Sequence, residues 1–321
     1  MYFYKKNLRL DELFEDFIKQ RQQAEGYSPV TIDNYRQNFE LLKKFRPDIR
    51  LRDLTRETMV DFSNFLNTRE RRVGNKDDVV RPLKPSSLAT VRGKLSSFFT
   101  WLKDNGYIKK NPFEDILYPQ VDCSDRRAVT DKEFDKLYLA VERDIEWPNN
   151  LIKKRNLAIL MFFALTGVRK NELLSLRLSD FDFEKRKVTV RAETSKSKKE
   201  NIIRMPDVLM PYLDDYLAYR ADYKTESFWV SGNRDCPFTK HGWKHLVNRL
   251  KAQTGIEKFH AHRFRHYFAV NFYKQSNCDL INLQRAMGHR SVKTTIGSYL
   301  RSLGNEELDR QMRGFRVAKN K

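Results

Sequence analysis

The sequence predicts a mainly α-helical protein with a small β-sheet, divided into two domains. Apolar residues recur at helical spacing along most of the 321 residues, and two short alternating segments, KVTVRA and IIRM, predict a β-hairpin. Residues 115–127 are charged, contain a proline and have little apolar period, which is typical of a connection between domains. We therefore expect a helical domain over residues 1–120, a linker over 121–127, a mixed domain over 128–302 and a tail over 303–321.

The charge balance favours a polyanionic partner. The chain has 62 Lys and Arg against 42 Asp and Glu, a net charge of +20. Residues 1–124 carry 23 basic and 18 acidic side chains, and residues 125–321 carry 39 and 24. An excess of positive charge of this kind attracts nucleic acid, although a solvated basic surface without such a partner is the alternative.

Cysteine usage and hydropathy exclude several classes of protein. The three cysteines lie far apart and form no CxxC pair, so neither a disulfide framework nor a cysteine zinc site is predicted, and a reducing cytoplasm fits. The N-terminal segment lacks the apolar stretch of a secretory signal. The longest apolar run, Leu157 to Leu165, is far shorter than the roughly 18 residues that cross a bilayer. We expect no membrane contact.

Four helices are predicted in the first domain, from apolar stripes between residues 10 and 102. Ser28 and Pro29 have the residue types of an N-cap and a first helical position. Residues 69–85 are polar and aperiodic, which predicts a loop. The fourth helix is expected to turn four polar residues outward, either towards DNA or into solvent: Thr90, Arg92, Lys94 and Ser97.

The second domain is predicted to begin with a capping box, in which Thr130 pairs with Glu133. A buried apolar helix over residues 156–165 is stopped by Thr166-Gly167. The next helix starts at Arg169, near the core, where an arginine needs partners and where Glu172 stands three residues on. The strands over residues 187–192 and 202–205 form the hairpin, and its polar turn contains Lys196, Lys198 and Lys199.

The stretch from His260 to Tyr299 contains the residues best suited to catalysis. His262, Arg265 and His266 stand at helical spacing i, i+3 and i+4 and can share a face. His289 and Tyr299 follow. An arginine binds phosphate oxygens, imidazoles move protons and a phenol can attack phosphorus, so the set suggests phosphate chemistry without a metal. Zinc is disfavoured because Arg263 stands where a metalloprotease has its glutamate; Tyr299 could also serve packing alone.

Four sequence runs in the second domain resemble motifs of the tyrosine recombinase (phage integrase) family. The runs HRFRH, MGH and TTIGSY resemble the family's C-terminal signature, and ALTGVRKNELLSL resembles its first arginine motif. The first domain, with GYSPVTIDNYRQNFELLKKF, resembles the family's helical, SAM-like core-binding domain more weakly. The tyrosine follows the last histidine by ten residues, where most members have nine.

This resemblance implies a catalytic set and a role for each member. Two arginines would stabilise the negative charge on the phosphate, one histidine would donate to it and the other would assist the tyrosine, and a lysine would protonate the leaving oxygen. The set is Arg169, Lys196, His262, Arg265, His289 and Tyr299. Glu172 and His266 would support the site. Lys198 and Lys199 would contact DNA, or one of them would be the proton donor in place of Lys196.

The resemblance further implies a site-specific recombinase that joins duplex DNA through a 3′-phosphotyrosine and a Holliday junction. No cofactor or metal is expected. Partners would be DNA recombination sites, three further copies of the chain in a synaptic tetramer, and an accessory directionality factor, with a monomer when free. The setting would be the cytoplasmic nucleoid, in integration, excision or chromosome dimer resolution. A type IB topoisomerase-like enzyme and a catalytically inactive accessory protein are the alternatives.

Overall fold

The computed structural model describes residues 7–72, 80–116, 128–195, 198–276, 279–289, 291–292 and 295–296. The chain forms two compact units, residues 1–123 and 124–321. The predicted fold class is confirmed, since helices dominate both units and the second contains a three-stranded sheet. The proposed linker (121–127) and tail (303–321) lie outside the described residues. Within the described part, no helix has the length and apolar character to span a bilayer.

The first unit is built from helices whose starts follow local capping rules. Its described elements are α1 (Leu10–Gln23), α2 (Pro29–Phe45), α3 (Arg56–Thr68), β1 (Glu70–Arg72), β2 (Val80–Pro82) and α4 (Pro85–Asp104). As predicted, the Ser28 hydroxyl accepts a hydrogen bond from the Thr31 amide at 3.3 Å and Pro29 opens α2.

Aromatic rings from three helices form the centre of this unit. Phe14 of α1 stacks on Phe39 of α2 with ring centroids 3.9 Å apart, and it meets Phe98 of α4 edge-on at 5.2 Å. All three side chains are buried. Removing one such ring typically costs about 3–5 kcal/mol, so this cluster holds the helices together.

The prediction of a loop over residues 69–85 is wrong in part. Glu70–Arg72 and Val80–Pro82 form an antiparallel ladder in which Arg71 pairs with Arg81. Each strand has only three residues and Glu70–Arg72 is wholly charged, so the sequence has no alternation long enough for a strand to be recognised. The pairing of the two backbones reveals this hairpin.

The second unit contains the small sheet and the longer run of helices. Its described elements are α5 (Asp131–Leu139), α6 (Asn150–Thr166), α7 (Lys170–Leu174), β3 (Phe181–Asp182), β4 (Lys187–Val190), β5 (Asn201–Arg204), α8 (Met210–Arg220), α9 (Lys240–Thr254), α10 (Ala261–Gln275) and α11 (Leu280–Met287). The predicted capping box is confirmed, because Thr130 accepts from the Glu133 amide while Glu133 accepts from the Thr130 amide. The hairpin is also confirmed, with Val188 opposite Ile203.

Helix α6 lies at the centre of this unit, in contact with α8 and α10. It begins at Asn150, six residues before its predicted start, because the Asn149 side chain caps it by accepting from the Ile152 amide at 2.8 Å. The added turns look polar in sequence, but Arg155 is buried and donates to the Val230 carbonyl at 2.8 Å. A local cap and long-range hydrogen bonding together extend the helix beyond its apolar stretch.

Candidate active site

The turn that follows α6 positions Arg169. Gly167 ends α6 in the left-handed conformation, with φ of +62°, and Arg169 becomes the N-cap of α7. The Arg169 Nη1 donates to Oε1 of Glu172 at 2.9 Å, and its backbone amide donates to Oε2 at 3.1 Å. Glu172 is buried, whereas the Arg169 side chain keeps 29% of its surface exposed. The carboxylate therefore orients the guanidinium and leaves part of it open to a ligand.

A close contact joins this turn to α10. A Cβ atom on Gly167 would lie 2.4 Å from Cδ1 of Phe268, a separation that real Cβ atoms do not adopt. Two constraints thus require glycine at this position: the left-handed backbone conformation and the space that the Phe268 ring occupies. The consequence is that the Arg169 turn sits directly on the helix that carries the His262 and Arg265 motif.

Arg265 connects three segments of the chain. It is buried, its Nη1 donates to the Gly167 carbonyl, and its Nη2 donates to the carbonyl of Met287 at the end of α11. The same Nη2 lies 3.1 Å from Nε2 of His289. A buried guanidinium is costly unless its donors are bonded, so these bonds both stabilise it and fix the positions of α6, α10 and α11.

His289 follows α11 and is held at both its backbone and its ring. Its amide donates to the Gln284 carbonyl at 3.1 Å, and the Gln284 side chain donates to the His289 carbonyl at 3.0 Å. The ring Nδ1 lies 2.9 Å from the hydroxyl of Thr295, which is fully buried. Because a guanidinium can only donate, Nε2 accepts from Arg265 and the ring hydrogen is on Nδ1.

The surroundings of His289 keep it neutral. Burial, and then the charges of Arg265, Arg169 and His262, lower the pKa of His289 to about 4. The direction follows from physics, since burial and nearby positive charge both disfavour an imidazolium. Three other predicted catalytic residues are thus close enough to His289 to act on its charge.

His262 and His266 lie one helical turn apart on α10. Their ring centroids are 4.9 Å apart and their planes are perpendicular. His262 is exposed, whereas His266 is buried. This arrangement leaves the His262 ring accessible to a ligand and places His266 behind it, as a support would be.

The hairpin is brought to the same site by a contact between β5 and the end of α11. Gly288 has φ of +60°, and a Cβ atom there would lie 2.9 Å from Nδ2 of Asn201, the first residue of β5. The hairpin turn therefore ends beside His289. Lys198 and Lys199 are exposed in this turn, and the Lys198 amide donates to the Ser195 carbonyl at 3.1 Å.

Two predicted catalytic residues, Lys196 and Tyr299, lie outside the described residues. Their roles remain predictions. The described part of the site consists of two guanidinium groups and two imidazoles. Such a set can bind the non-bridging oxygens of a phosphodiester by charge-assisted hydrogen bonds. No group of three or more His, Cys, Asp or Glu within the described ranges could hold a metal ion.

The predicted outward orientation of Arg92 is wrong. Arg92 is buried in the first unit, where its Nη2 donates to the carbonyls of Phe113, at 2.9 Å, and Ile116. Its guanidinium also lies over the Phe113 ring, 5.0 Å from the centroid. The segment after α4 folds back over this helix and covers a position that helical period alone marks as outward. Arg92 therefore holds that segment.

The three other residues predicted to face DNA on α4 differ in exposure. Thr90 is exposed, and its hydroxyl donates to the Ser86 carbonyl at 2.9 Å. Lys94 and Ser97 are half-buried against one ring: the Lys94 Nζ lies 4.1 Å from the Tyr35 centroid, and Ser97 accepts from the Tyr35 hydroxyl at 3.3 Å. Their contact with DNA remains a prediction.

Sequence reasoning missed two residues of the site. Thr295 is the partner of His289 Nδ1; it lies in the TTIGSY motif, where attention to Tyr299 left the threonine without a role. Arg263 was noted only for excluding zinc, but it is buried and paired with Glu133. A signal was available in the helical spacing. Arg263 and Arg265 are two residues apart on one helix and point in different directions, so they cannot both face one ligand.

Models of known families match both units. The model described as "Phage integrase family" matches residues 127–306, and the one described as "Phage integrase SAM-like domain" matches residues 9–118. A relative, the tyrosine recombinase XerC of Roseiflexus castenholzii (strain DSM 13941 / HLO8), is 27% identical over 296 residues, which cover 89% of this chain and 88% of that protein.

Solved structures show the same fold. The XerH site-specific recombinase bound to palindromic difH substrate, a post-cleavage complex, aligns with a TM-score of 0.69 and 19% identity, over 94% of this chain and 84% of that one. The Tn1549 transposon integrase in complex with transposon right end DNA aligns with a TM-score of 0.72 and 16% identity, over 97% of this chain and 100% of that one.

Proposed function

Because the chain belongs to the phage integrase family and is a site-specific tyrosine recombinase, we propose that it cleaves and rejoins duplex DNA through a 3′-phosphotyrosine at Tyr299. The observation that best supports this is the set of bonds around Arg265, which donates to the carbonyl of Gly167 next to the Arg169 turn, to the carbonyl of Met287 and to the ring of His289. These bonds connect the three motifs that contain Arg169, His262 with Arg265, and His289, and the four side chains together would offer hydrogen-bond donors to one phosphate.

The two arginines would bind the scissile phosphate from different directions. Arg169 is oriented by Glu172 and partly exposed, while Arg265 is buried and rigidly held by backbone carbonyls. Preorganised donors of this kind stabilise the charge that develops on the non-bridging oxygens in the transition state. The exposed ring of His262 would assist proton removal from the attacking phenol, and His266 would support it.

The chemistry consists of two balanced transesterifications. The Tyr299 oxygen attacks phosphorus, the bond from phosphorus to the 5′ oxygen breaks, and Lys196 supplies the proton to the departing 5′-hydroxyl. A 5′-hydroxyl from a second duplex then attacks the phosphotyrosine and releases Tyr299. Since each step exchanges one phosphodiester for another, no nucleotide, metal or cofactor is consumed. Lys198 and Lys199 would contact DNA next to the reacting strand.

The partners would be duplex recombination sites and further copies of the chain. The net charge of +20 suits DNA wrapped by both units. We propose a monomer when free and a tetramer at synapsis, with the tail over residues 303–321 contacting a neighbouring copy, and an accessory directionality factor. The unit over residues 1–120 would present Thr90, Lys94 and Ser97 to DNA. The proposed setting is nucleoid DNA in the cytoplasm, in element integration or excision or in chromosome dimer resolution.

The test is covalent capture on nicked DNA carrying the recombination site. Wild-type protein should form an adduct that survives denaturation, in EDTA and without nucleotide. Tyr299→Phe should bind the same DNA with similar affinity and form no adduct, because only the attacking oxygen is lost. Tyr273→Phe, which changes a tyrosine on α10, is the matched control and should retain the adduct. An adduct formed by Tyr299→Phe would exclude Tyr299 as the nucleophile.

The comparisons favour neither alternative function. A topoisomerase-like enzyme and a recombinase both form the tyrosyl adduct, so junction resolution is the distinguishing measurement. A recombinase should resolve a synthetic Holliday junction that bears its sites, whereas a relaxing enzyme should act on site-free supercoiled plasmid as a monomer. An inactive accessory protein should form no adduct on any DNA.

A further inference from the structure

The helix that carries His262 and Arg265 begins without a side-chain cap. His260 occupies the N-cap position of α10 and makes no side-chain capping hydrogen bond. The first amide groups of a helix need partners, and an uncapped first turn unwinds readily. His262 lies in this first turn. Something other than a cap must therefore hold the turn in place if its imidazole is to meet a substrate in a fixed position.

Arg263, the next residue, provides that attachment. Its side chain is buried, and its Nη2 donates to Oε2 of Glu133 at 2.6 Å and to the Ala128 carbonyl at 3.0 Å. Its own carbonyl accepts from the Val129 amide at 3.4 Å. Both the side chain and the backbone of Arg263 are thus bound to the segment that leads into α5.

Glu133 is the anchor of this attachment. The same Oε2 atom accepts from the Thr130 amide at 2.9 Å and from Arg263, so one carboxylate closes the capping box of α5 and binds α10. Burial by itself would raise the pKa of Glu133, but the hydrogen bonds from the Thr130 amide and Arg263 outweigh it and lower that pKa. The carboxylate is therefore charged across the neutral range.

The contact continues one helical turn later. The Tyr267 hydroxyl donates to Oδ1 of Asp131 at 3.0 Å, and its ring stacks on Phe134 with centroids 5.2 Å apart. Residues four apart share a helix face. Arg263 and Tyr267 thus attach one face of α10 to α5, and the neighbouring face presents His262 to the site.

We propose that Arg263 and Glu133 are positioning residues for the recombination reaction, which set the placement of His262 and Arg265. This inference rests on the proposed function. The pair joins a buried arginine to a half-buried carboxylate. Such a pair adds little net stability compared with apolar residues of similar volume, but it accepts only a narrow geometry. That property suits a helix start whose neighbouring residues must bind one phosphate. Ala128 and Val129 come directly after the expected linker, residues 121–127, so the attachment joins the first described residues of the second unit to the catalytic helix.

The test measures adduct formation in a single turnover on nicked DNA, with DNA affinity and thermal unfolding measured in parallel on the full chain. Arg263→Met keeps the length and apolar stem of the side chain but removes its hydrogen bonds to Glu133 and to the carbonyls of Ala128 and Lys258. We expect its cleavage rate to fall about tenfold or more while its DNA affinity changes less than about threefold, because misplaced catalytic groups slow the chemical step. Arg263→Lys can reach Glu133 alone, so its cleavage rate should lie between those of Arg263→Met and wild type.

A matched control removes another ion pair of the same unit. Lys154 of α6 pairs with Asp215 of α8. Lys154→Met should cleave within about twofold of wild type, since no group of the proposed site depends on it. Glu133→Gln is a second variant, expected to lose about threefold or more in cleavage rate, and it carries the test if Arg263→Met is unfolded at the assay temperature.

Three outcomes separate the possibilities. The positioning role is supported if wild-type protein cleaves the DNA and Arg263→Met cleaves it slowly while binding it with nearly wild-type affinity. Folded Arg263→Met and Glu133→Gln that cleave at the wild-type rate, or that lose cleavage only in proportion to DNA binding, would overturn it. Absence of any adduct with wild-type protein would instead count against the proposed function.

Discussion

Arg265 and His289 share a hydrogen bond of 3.1 Å in which the arginine must be the donor. The bond occupies Nε2 of the imidazole, while Nδ1 faces Thr295. The proposed role of His289 requires a ring nitrogen that donates to phosphate. A phosphate that binds Arg265 would accept the hydrogen bond that the guanidinium now donates to His289, and it would bring negative charge beside the imidazole. Both changes favour the imidazolium, so we expect binding of DNA to convert His289 from an acceptor to a donor.

Binding of DNA should therefore take up a proton at His289. The free pKa of about 4 leaves the ring neutral at pH 6, whereas an adjacent phosphate raises the pKa and lets the bound ring hold the proton. Affinity for DNA should then increase as the pH falls from 7 towards 5. Calorimetry of Tyr299→Phe in buffers of different ionisation enthalpy measures the uptake, which should approach about one proton per site.

The control for this uptake is His289→Gln in the same Tyr299→Phe background, because glutamine cannot titrate. Its binding enthalpy should show a smaller dependence on the buffer. Equal buffer dependence in the two proteins would mean that the proton is taken up elsewhere and that His289 remains neutral when DNA is bound.

The proton donor to the leaving group should be Lys196. A substrate with sulfur in place of the bridging 5′ oxygen has a good leaving group and needs no acid. Such DNA should restore cleavage by Lys196→Ala to within about tenfold of wild type and should not restore Arg169→Ala, whose loss affects the transition-state charge. Rescue of Lys198→Ala in place of Lys196→Ala would reassign the acid to Lys198.

Gly167→Ala should destabilise the second unit and disturb the Arg169 turn. The new methyl would meet Phe268 at 2.4 Å, and the backbone would be held at φ of +62°. Gly255→Ala is a matched control, since Gly255 ends α9 with φ of +69° and no atom lies within 4 Å of its Cβ position. Chemical unfolding should show a loss of about 1 kcal/mol for Gly255→Ala and about 3 kcal/mol or more for Gly167→Ala. Equal losses would show that the turn adjusts without strain at Phe268.

Arg92→Met should reduce stability and leave the salt dependence of DNA binding unchanged. It removes donors to the carbonyls of Phe113 and Ile116, at a cost of about 1–3 kcal/mol in the free energy of unfolding. Lys94→Met is the comparison, expected to lower the slope of log affinity against log salt by about 1 if Lys94 neutralises a phosphate. If Arg92→Met instead lowers the slope of log affinity against log salt and leaves the free energy of unfolding unchanged, Arg92 would be a DNA contact after all.

Local rules in the sequence determined where many elements begin and end. The cap at Ser28, the capping box of Thr130 with Glu133 and the pairing of Arg169 with Glu172 each join residues three apart or fewer, so the residue types alone suffice to predict them. The hairpin over Lys187–Arg204 follows from alternation in the same way. The family motifs identified candidate catalytic residues before their geometry was known.

Only the tertiary structure decided which faces those elements bury and which residues meet. Arg265 bonds to a carbonyl 98 residues earlier in the chain, Arg263 bonds to a carboxylate 130 residues earlier, and Arg92 is covered by a segment that follows its helix. Contacts of such separation have no period and no local cap to reveal them. They depend on how side chains fill the space between elements, which is a property of the packed chain and not of any stretch of it.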